Sequence, residues 1–223
     1  MRLLSKVLGL YRIDTVPWAL KPLFWLYGYG LGLPCALYAF LVRYTSHVEY
    51  VREPGADERQ RAVFCAWHEQ VWSQFIALLP LGRYAALSHP LWYMEPVYVM
   101  LRTIGMREFA WGSAGNDGRA AASALVDALA EDARLSAVIN PDGPAGPPRH
   151  AKKGIFHIAA QSSLPIVPLR FECSFAIRLP GWDRKIFPLP FGRIRIRVGA
   201  PIRITEACDL DARVAELERR LGA

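Results

Sequence analysis

Two places in this chain combine side-chain types and spacing suited to catalysis. His68 directly follows the continuous apolar run Ala62 to Trp67. A histidine at the end of a central strand sits where open α/β sheets gather their sites. Its near-neutral pKa makes imidazole the ordinary base toward an alcohol. The alternative is a packed histidine that donates to a backbone carbonyl. The second place is the stretch from Ile139 to Gly154, a Pro/Gly-stiffened loop that follows the apolar run Leu135 to Ile139. Asp142 in this loop suits a hydroxyl or an orienting role. Arg149, Lys152 and Lys153 suit an anionic group such as phosphate, Arg by forking two oxygens and Lys as a point charge. The alternative is a solvated surface turn.

A histidine base needs a partner that fixes its tautomer and stabilises the imidazolium. Glu69 is adjacent in sequence, Ser73 falls on the following helix and can face back toward the ring, and Glu95 and Asp142 can approach through the fold. The sequence leaves these open. Other chemistries lack their signatures. No Gly-x-Ser-x-Gly elbow is present, and Trp111-Gly112-Ser113-Ala114-Gly115 holds only part of one. No phosphate loop or dinucleotide fingerprint occurs. Gly112, Gly115 and Gly118 ahead of a helix at Arg119 form either an anion nest or a plain helix entry. The five histidines make no ligand-spaced cluster, so no metal site is expected.

These residues need a scaffold, and the apolar pattern supplies one. Strands are expected at His47–Val51, Ala62–Trp67, Tyr84–Ser88, Arg107–Trp111, Leu135–Ile139, Ile166–Phe171 and Ile194–Val198. Helices are expected at Val71–Leu79, Glu95–Ile104, Arg119–Asp132, Ile155–Ala160 and Glu206–Leu221. Strands alternating with helices predict an α/β fold with a mostly parallel central sheet flanked by helices. Ahead of it, Pro22 to Val42 carries no charge and is long enough to cross a bilayer. Trp18, Trp25, Tyr27 and Tyr29 resemble an interfacial belt. Gly28, Gly30, Gly32 and Pro34 weaken a straight helix there, while Gly28 and Gly32 have helix-packing spacing. The chain thus divides into an N-terminal membrane-associated helical segment, 1–44, and an α/β domain, 45–223. The 223 residues are 52% hydrophobic, with seven Trp, nine Tyr and ten Phe, and carry a net charge of +7. With no basic arm or zinc-finger pattern, lipid headgroups or phosphorylated substrates are favoured over nucleic acid. Four widely spaced cysteines read as reduced thiols in a cytosol-facing protein. Nothing in the pattern fixes an oligomeric state.

On these residues the chain resembles the lysophospholipid (glycerolipid) acyltransferase superfamily over roughly residues 45 to 205. Trp67-His68 looks like the opening of the catalytic block, and Gly112-Ser113 falls at the second block. Pro141-Asp142-Gly143-Pro144-Ala145-Gly146-Pro147 is similar to the third block in the Asp-Gly-Pro form of a bacterial branch. Leu164 to Leu169 resembles the fourth. Trp182-Asp183, Pro188-Leu189-Pro190-Phe191 and Gly199-Ala200-Pro201 also resemble this branch. The resemblance implies acyl transfer from a thioester, on coenzyme A or acyl carrier protein, to a hydroxyl of a lysophospholipid-like acceptor in the membrane. It implies His68 as base with no cofactor or metal. It also implies that Asp142, Gly143 and Pro144 hold the acceptor, and that Arg149, Lys152 and Lys153 hold a phosphate. The chain departs from the pattern twice. Ser73 stands five residues after the histidine, where the family has Asp, and Trp111 stands where the second block has Arg. From those departures follow a substitute carboxylate, weak activity or a non-catalytic lipid-binding accessory protein; a thioester or lipid hydrolase that uses water on the same thioester is the other alternative.

Overall fold

The computed structural model describes residues 12–106, 108–112, 118–205 and 209–222. Its strands are β1 (His47–Arg52), β2 (Val63–Cys65), β3 (Tyr84–Ser88), β4 (Glu108–Trp111), β5 (Ser136–Ile139), β6 (Ile166–Cys173), β7 (Ala176–Arg178), β8 (Ile186–Pro188) and β9 (Arg193–Val198). Its helices are α1 (Lys21–Thr45), α2 (Val71–Ala77), α3 (Glu95–Thr103), α4 (Gly118–Glu131), α5 (Gly154–Ser162) and α6 (Leu210–Leu221). Seven strands form one sheet in the order β1-β9-β6-β2-β5-β3-β4, and β7 and β8 form a separate antiparallel hairpin. Every neighbouring pair in the large sheet is parallel except β6 with β9. The mostly parallel α/β sheet and the apolar N-terminal helix match the expectation.

The run from Ala62 to Trp67 explains why β2 lies at the centre. All its residues are buried. Ala62, Phe64 and Ala66 enter the core beneath α1, α2 and α3, while Val63, Cys65 and Trp67 enter the core beneath α4, α5 and α6. A strand buried on both faces reads as a continuous apolar run, because alternation sends each side chain into one of two dry layers. The C-terminal helix has conventional ends. The Asp209 carboxylate accepts from the N–H groups of Asp211 and Ala212, and Gly222 closes the helix in the left-handed conformation. Residues 206–208, where this helix was expected to begin, lie outside the described residues, as does Arg107 ahead of β4.

Helix α1 is continuous through its glycines and Pro34 rather than broken. The physical reason is packing. A Cβ on Gly32 would lie 2.6 Å from the Pro96 carbonyl oxygen, and one on Gly28 would collide with Glu95. The small residues let α3 approach along one face of α1, formed by Gly28, Gly32, Ala36, Ala39 and Val42, all buried. Phe24 and Tyr27 pack on Trp92, and the Tyr27 hydroxyl donates to the Tyr93 carbonyl. The opposite face exposes Leu23, Leu26, Leu33, Leu37, Leu41 and Tyr44, with Trp18 and Trp25 near its start. The segment Trp18–Thr45 is long and apolar enough to cross a membrane.

Candidate functional site

Register brings the two sequence-predicted regions together. Cys65 of β2 pairs with Ile139 of β5 in parallel. His68 and Asp142 each lie three residues beyond that pair, so they leave the sheet side by side. The His68 backbone N–H donates to Asp142 Oδ1 at 2.9 Å. Asn140 ties the same two strand ends together: its side-chain amide donates to the Ala66 carbonyl and to Gln74 Oε1. The short 3₁₀ turn His68–Gln70 is fastened to β6, because the Gln70 side-chain amide exchanges both of its hydrogen bonds with the backbone of Phe171.

The partner of the imidazole comes from elsewhere. Asp183 Oδ2 lies 2.6 Å from His68 Nδ1, and its side chain is 1% exposed. Asp183 sits in the connection of the β7–β8 hairpin, closed by the Leu179 N–H donating to the Lys185 carbonyl. Phe187 of β8 seats the hairpin, stacking on Tyr38 of α1 and meeting Trp72 of α2 edge-on. The Tyr38 hydroxyl donates to the Pro188 carbonyl at 2.9 Å. Trp182 stacks on the His68 ring with centroids 5.3 Å apart. On its other side Trp182 occupies the space that a Cβ on Gly146 would need, at 2.8 Å. Gly146 has φ +69°, so glycine suits this position both for its backbone and for the indole.

The electrostatics favour a neutral imidazole beside an ionised carboxylate. Burial holds His68 below its ordinary value, the Asp183 hydrogen bond pulls it back up, and the Lys185 charge pushes it down again. Burial by itself raises Asp183, but hydrogen bonds from Lys185 (2.7 Å) and His68 outweigh it and leave the carboxyl low. With Nδ1 donating to Asp183, Nε2 is the basic atom that remains, and the ring is 19% exposed. A neutral imidazole whose opposite nitrogen faces a buried carboxylate is equipped to take a proton from a hydroxyl.

The other orienting candidates are committed elsewhere. Ser73 is fully buried, and its hydroxyl meets the Cys173 sulfur at 3.4 Å, so it does not turn toward the ring as expected. Glu69 pairs with Arg149 at 2.8 Å and with Arg178 at 3.7 Å. Glu95 packs against Gly28. Asp142 is 1% exposed, and its oxygens accept the backbone N–H groups of His68 and Arg149. Burial lifts its carboxyl to about 6 against the pull of those N–H groups. As placed, Asp142 ties the loop to the His68 backbone, in keeping with the orienting role the sequence allowed it.

The basic residues of the loop diverge. The Lys152 ammonium lies over Gly143, whose φ is +69°, and its charge is felt by His68. Pro144 is exposed in the loop. Lys153 turns to α6 and pairs with Asp211 at 2.8 Å. Arg149 lines a cleft of about 410 Å³ with Glu69, Pro148, Arg178, Trp182, Asp183 and Arg184. His68 is one contact removed from that cleft, through Trp182 and Asp183. Sequence reasoning missed Asp183, Lys185, Arg178 and Arg184. The available signal was the Trp182-Asp183 pair, singled out as part of the resemblance without a role. Trp111 packs edge-on against Tyr98 with centroids 4.5 Å apart, so this position adds an aromatic contact instead of a cation. Ser113 of the expected second block, and most of the glycine loop of the expected nest, lie outside the described residues.

With this geometry in hand, likeness to known proteins is limited but coherent. No protein-family model matches the chain. An uncharacterised protein of Rickettsia prowazekii is 33% identical over 93 residues, a match that spans 42% of this chain and 42% of that protein. The crystal structure of the 1-acyl-sn-glycerophosphate (LPA) acyltransferase PlsC from Thermotoga maritima superimposes with a TM-score of 0.51 at 11% identity, covering 86% of this chain and 80% of that one. The chain therefore shares the fold of that structure.

Proposed function

We propose that the chain is an acyltransferase that moves a fatty acyl group from a thioester, on coenzyme A or acyl carrier protein, to a hydroxyl of a lysophospholipid-like acceptor. The observation that carries the reading is the buried Asp183–His68 pair at the mouth of the sheet, set in a fold shared with an LPA acyltransferase. His68 Nε2 takes the hydroxyl proton as the acceptor oxygen attacks the thioester carbonyl. The carbonyl's electron pair moves onto its oxygen, and its return expels the thiolate. The thiolate then recovers the proton from the imidazolium. Asp183 holds Nδ1–H throughout and offsets the transient positive charge. The sulfur leaves without a covalent acyl-enzyme, and no prosthetic group enters the scheme. Arg149, Arg178 and Arg184 suit an acceptor phosphate, since three guanidiniums face the single carboxylate of Glu69 once Lys185 has paired with Asp183.

The protein works on a membrane in this reading, with α1 laid along it and the α/β domain on the cytoplasmic side. The supports are the exposed leucine and aromatic face of α1 and the bilayer origin of a lyso-lipid acceptor. Purified protein in detergent, given a labelled acyl thioester and a lysophosphatidic acid, is expected to form the diacyl product. Parent-like rates in His68→Ala would remove the base from the mechanism. Equal thioester loss with and without acceptor would convert the reading to a hydrolase.

A further inference from the structure

We propose that the turn at 189–193, together with the exposed apolar residues of β7 and its entry, is a second lipid contact, inserted into an anionic bilayer beside α1. Phe191 is 81% exposed. It also adopts φ +65°, the left-handed region in which an L side chain is strained and Gly or Asn is favoured. An exposed aromatic ring held in a strained backbone position is a reason to look for a role outside the fold. Two more exposed apolar side chains, Phe175 and Ile177, belong to the same region. Phe175 lies beneath the turn, because a Cβ on Gly192 would come within 3.1 Å of the Phe175 Cβ.

The occupant follows from continuity. The Phe191 N–H donates to Thr45 Oγ1, the last residue of α1, which follows the exposed Tyr44. The turn therefore abuts the C-terminal end of α1, next to the exposed Tyr44. Arg193, exposed at the end of the turn, matches anionic headgroups. The same hairpin carries Asp183, so this contact would set the mouth of the site at the lipid surface. The inference rests on the reading that α1 docks on a bilayer.

Flotation of the full chain with phosphatidylglycerol-containing vesicles tests both readings separately. The parent is expected to float. Phe191→Asn, which suits the left-handed backbone, and Phe175→Ser/Ile177→Ser are each expected to partition about tenfold more weakly, with melting temperatures unchanged. Phe191→Trp is expected to float like the parent. Binding of both aromatic-deficient variants within twofold of the parent overturns the second contact and leaves the α1 reading intact. A parent that does not float overturns both. A fall in melting temperature in Phe191→Asn, or vesicle-independent self-association that Phe191→Asn abolishes, overturns the proposal by assigning the ring to the protein's own packing.

Discussion

Asp183 reaches His68 across 115 residues of chain, and its carboxylate stands at the ring nitrogen where the sequence pattern had offered Ser73. The charge that a helix turn would have supplied five residues after the base arrives instead on a hairpin tip. The two solutions are electrostatically equivalent at Nδ1 but differ in what holds them. A helical carboxylate would be fixed by local structure, whereas Asp183 depends on Phe187, Tyr38 and the Leu179–Lys185 closure.

Neutralising that carboxylate should therefore be severe for turnover and mild for folding. Asp183→Asn is expected to lower kcat by roughly three to four powers of ten, judging from triads altered at the same role, while circular dichroism stays that of the parent. Placing a carboxylate at the family position should not compensate. Ser73 is fully buried against Cys173, so Ser73→Asp adds an unpaired buried charge at a cost on the order of several kcal/mol. Ser73→Asp/Asp183→Asn is expected to be less stable than Asp183→Asn and no faster. A recovered rate would show that position 73 can reach the imidazole.

Much of this was legible in the sequence, for reasons that residues make plain. The run Ala62 to Trp67 announced a two-sided strand because both its faces are dry, and parallel register then made His68 and the Asp142 loop neighbours. The hairpin was not legible. Ala176–Arg178 and Ile186–Pro188 are three-residue strands, too short for any periodicity, and the first exposes two of its three side chains. Asp183 was invisible as a partner because nothing local to His68 points to residue 183. The intramolecular partners of Asp142 and Lys153 were hidden for a related reason. Sequence gives their charge but not the backbone N–H groups or the α6 carboxylate that claim it.

The pH dependence of kcat/KM tests the pair from the other side. With His68 as the proposed base the neutral imidazole is the active form, so the rate should rise with pH through an inflection below the ordinary histidine value. The Lys185 charge lowers His68, so Lys185→Met should move the inflection to higher pH. Asp183 raises His68, so the residual activity of Asp183→Asn should inflect at lower pH. Displacements of opposite sign are the expected result. A common direction in the two variants would mean that the inflection belongs to another group.

Trp182 and Gly146 make a purely steric test. Any side chain at position 146 must enter space held by the indole, and it must also adopt φ +69°. Gly146→Val is expected to tilt Trp182 off the imidazole and reduce kcat about tenfold or more, since small misplacements of a base are costly. Trp182→Ala should remove the steric part of the Gly146→Val loss in a double-mutant cycle, leaving only what the φ +69° backbone costs. Independent, additive losses would argue that Gly146 acts through the loop backbone alone.

The guanidinium cleft predicts a selective effect on acceptor binding. Arg184→Ala and Arg178→Ala should raise KM about tenfold for a phosphate-bearing lyso-lipid while leaving kcat nearly unchanged. Neither change should matter for an uncharged monoacylglycerol. Arg149→Ala is a poorer probe, since it also strips the 2.8 Å partner from the largely buried Glu69. Equal losses on charged and uncharged acceptors would assign these arginines to the donor or to the hairpin's own stability.

Asp142 carries a stability signature distinct from its place beside the base. Its folded pKa of about 6 lies above the ordinary carboxylate value of 3.8. The folded state therefore holds this proton more tightly than the unfolded chain does. Between roughly pH 4 and pH 6 the folded protein binds more protons at this group, so its contribution to stability falls as pH rises, and above about pH 6 the whole penalty is present. Asp142→Asn removes the titration while keeping one acceptor for the His68 N–H. The melting temperature of the variant minus that of the parent should thus climb from pH 4 to pH 7 and then level off. A flat difference across that window would mean that Asp142 is ionised at little cost and that the two N–H groups of His68 and Arg149 fully offset its burial.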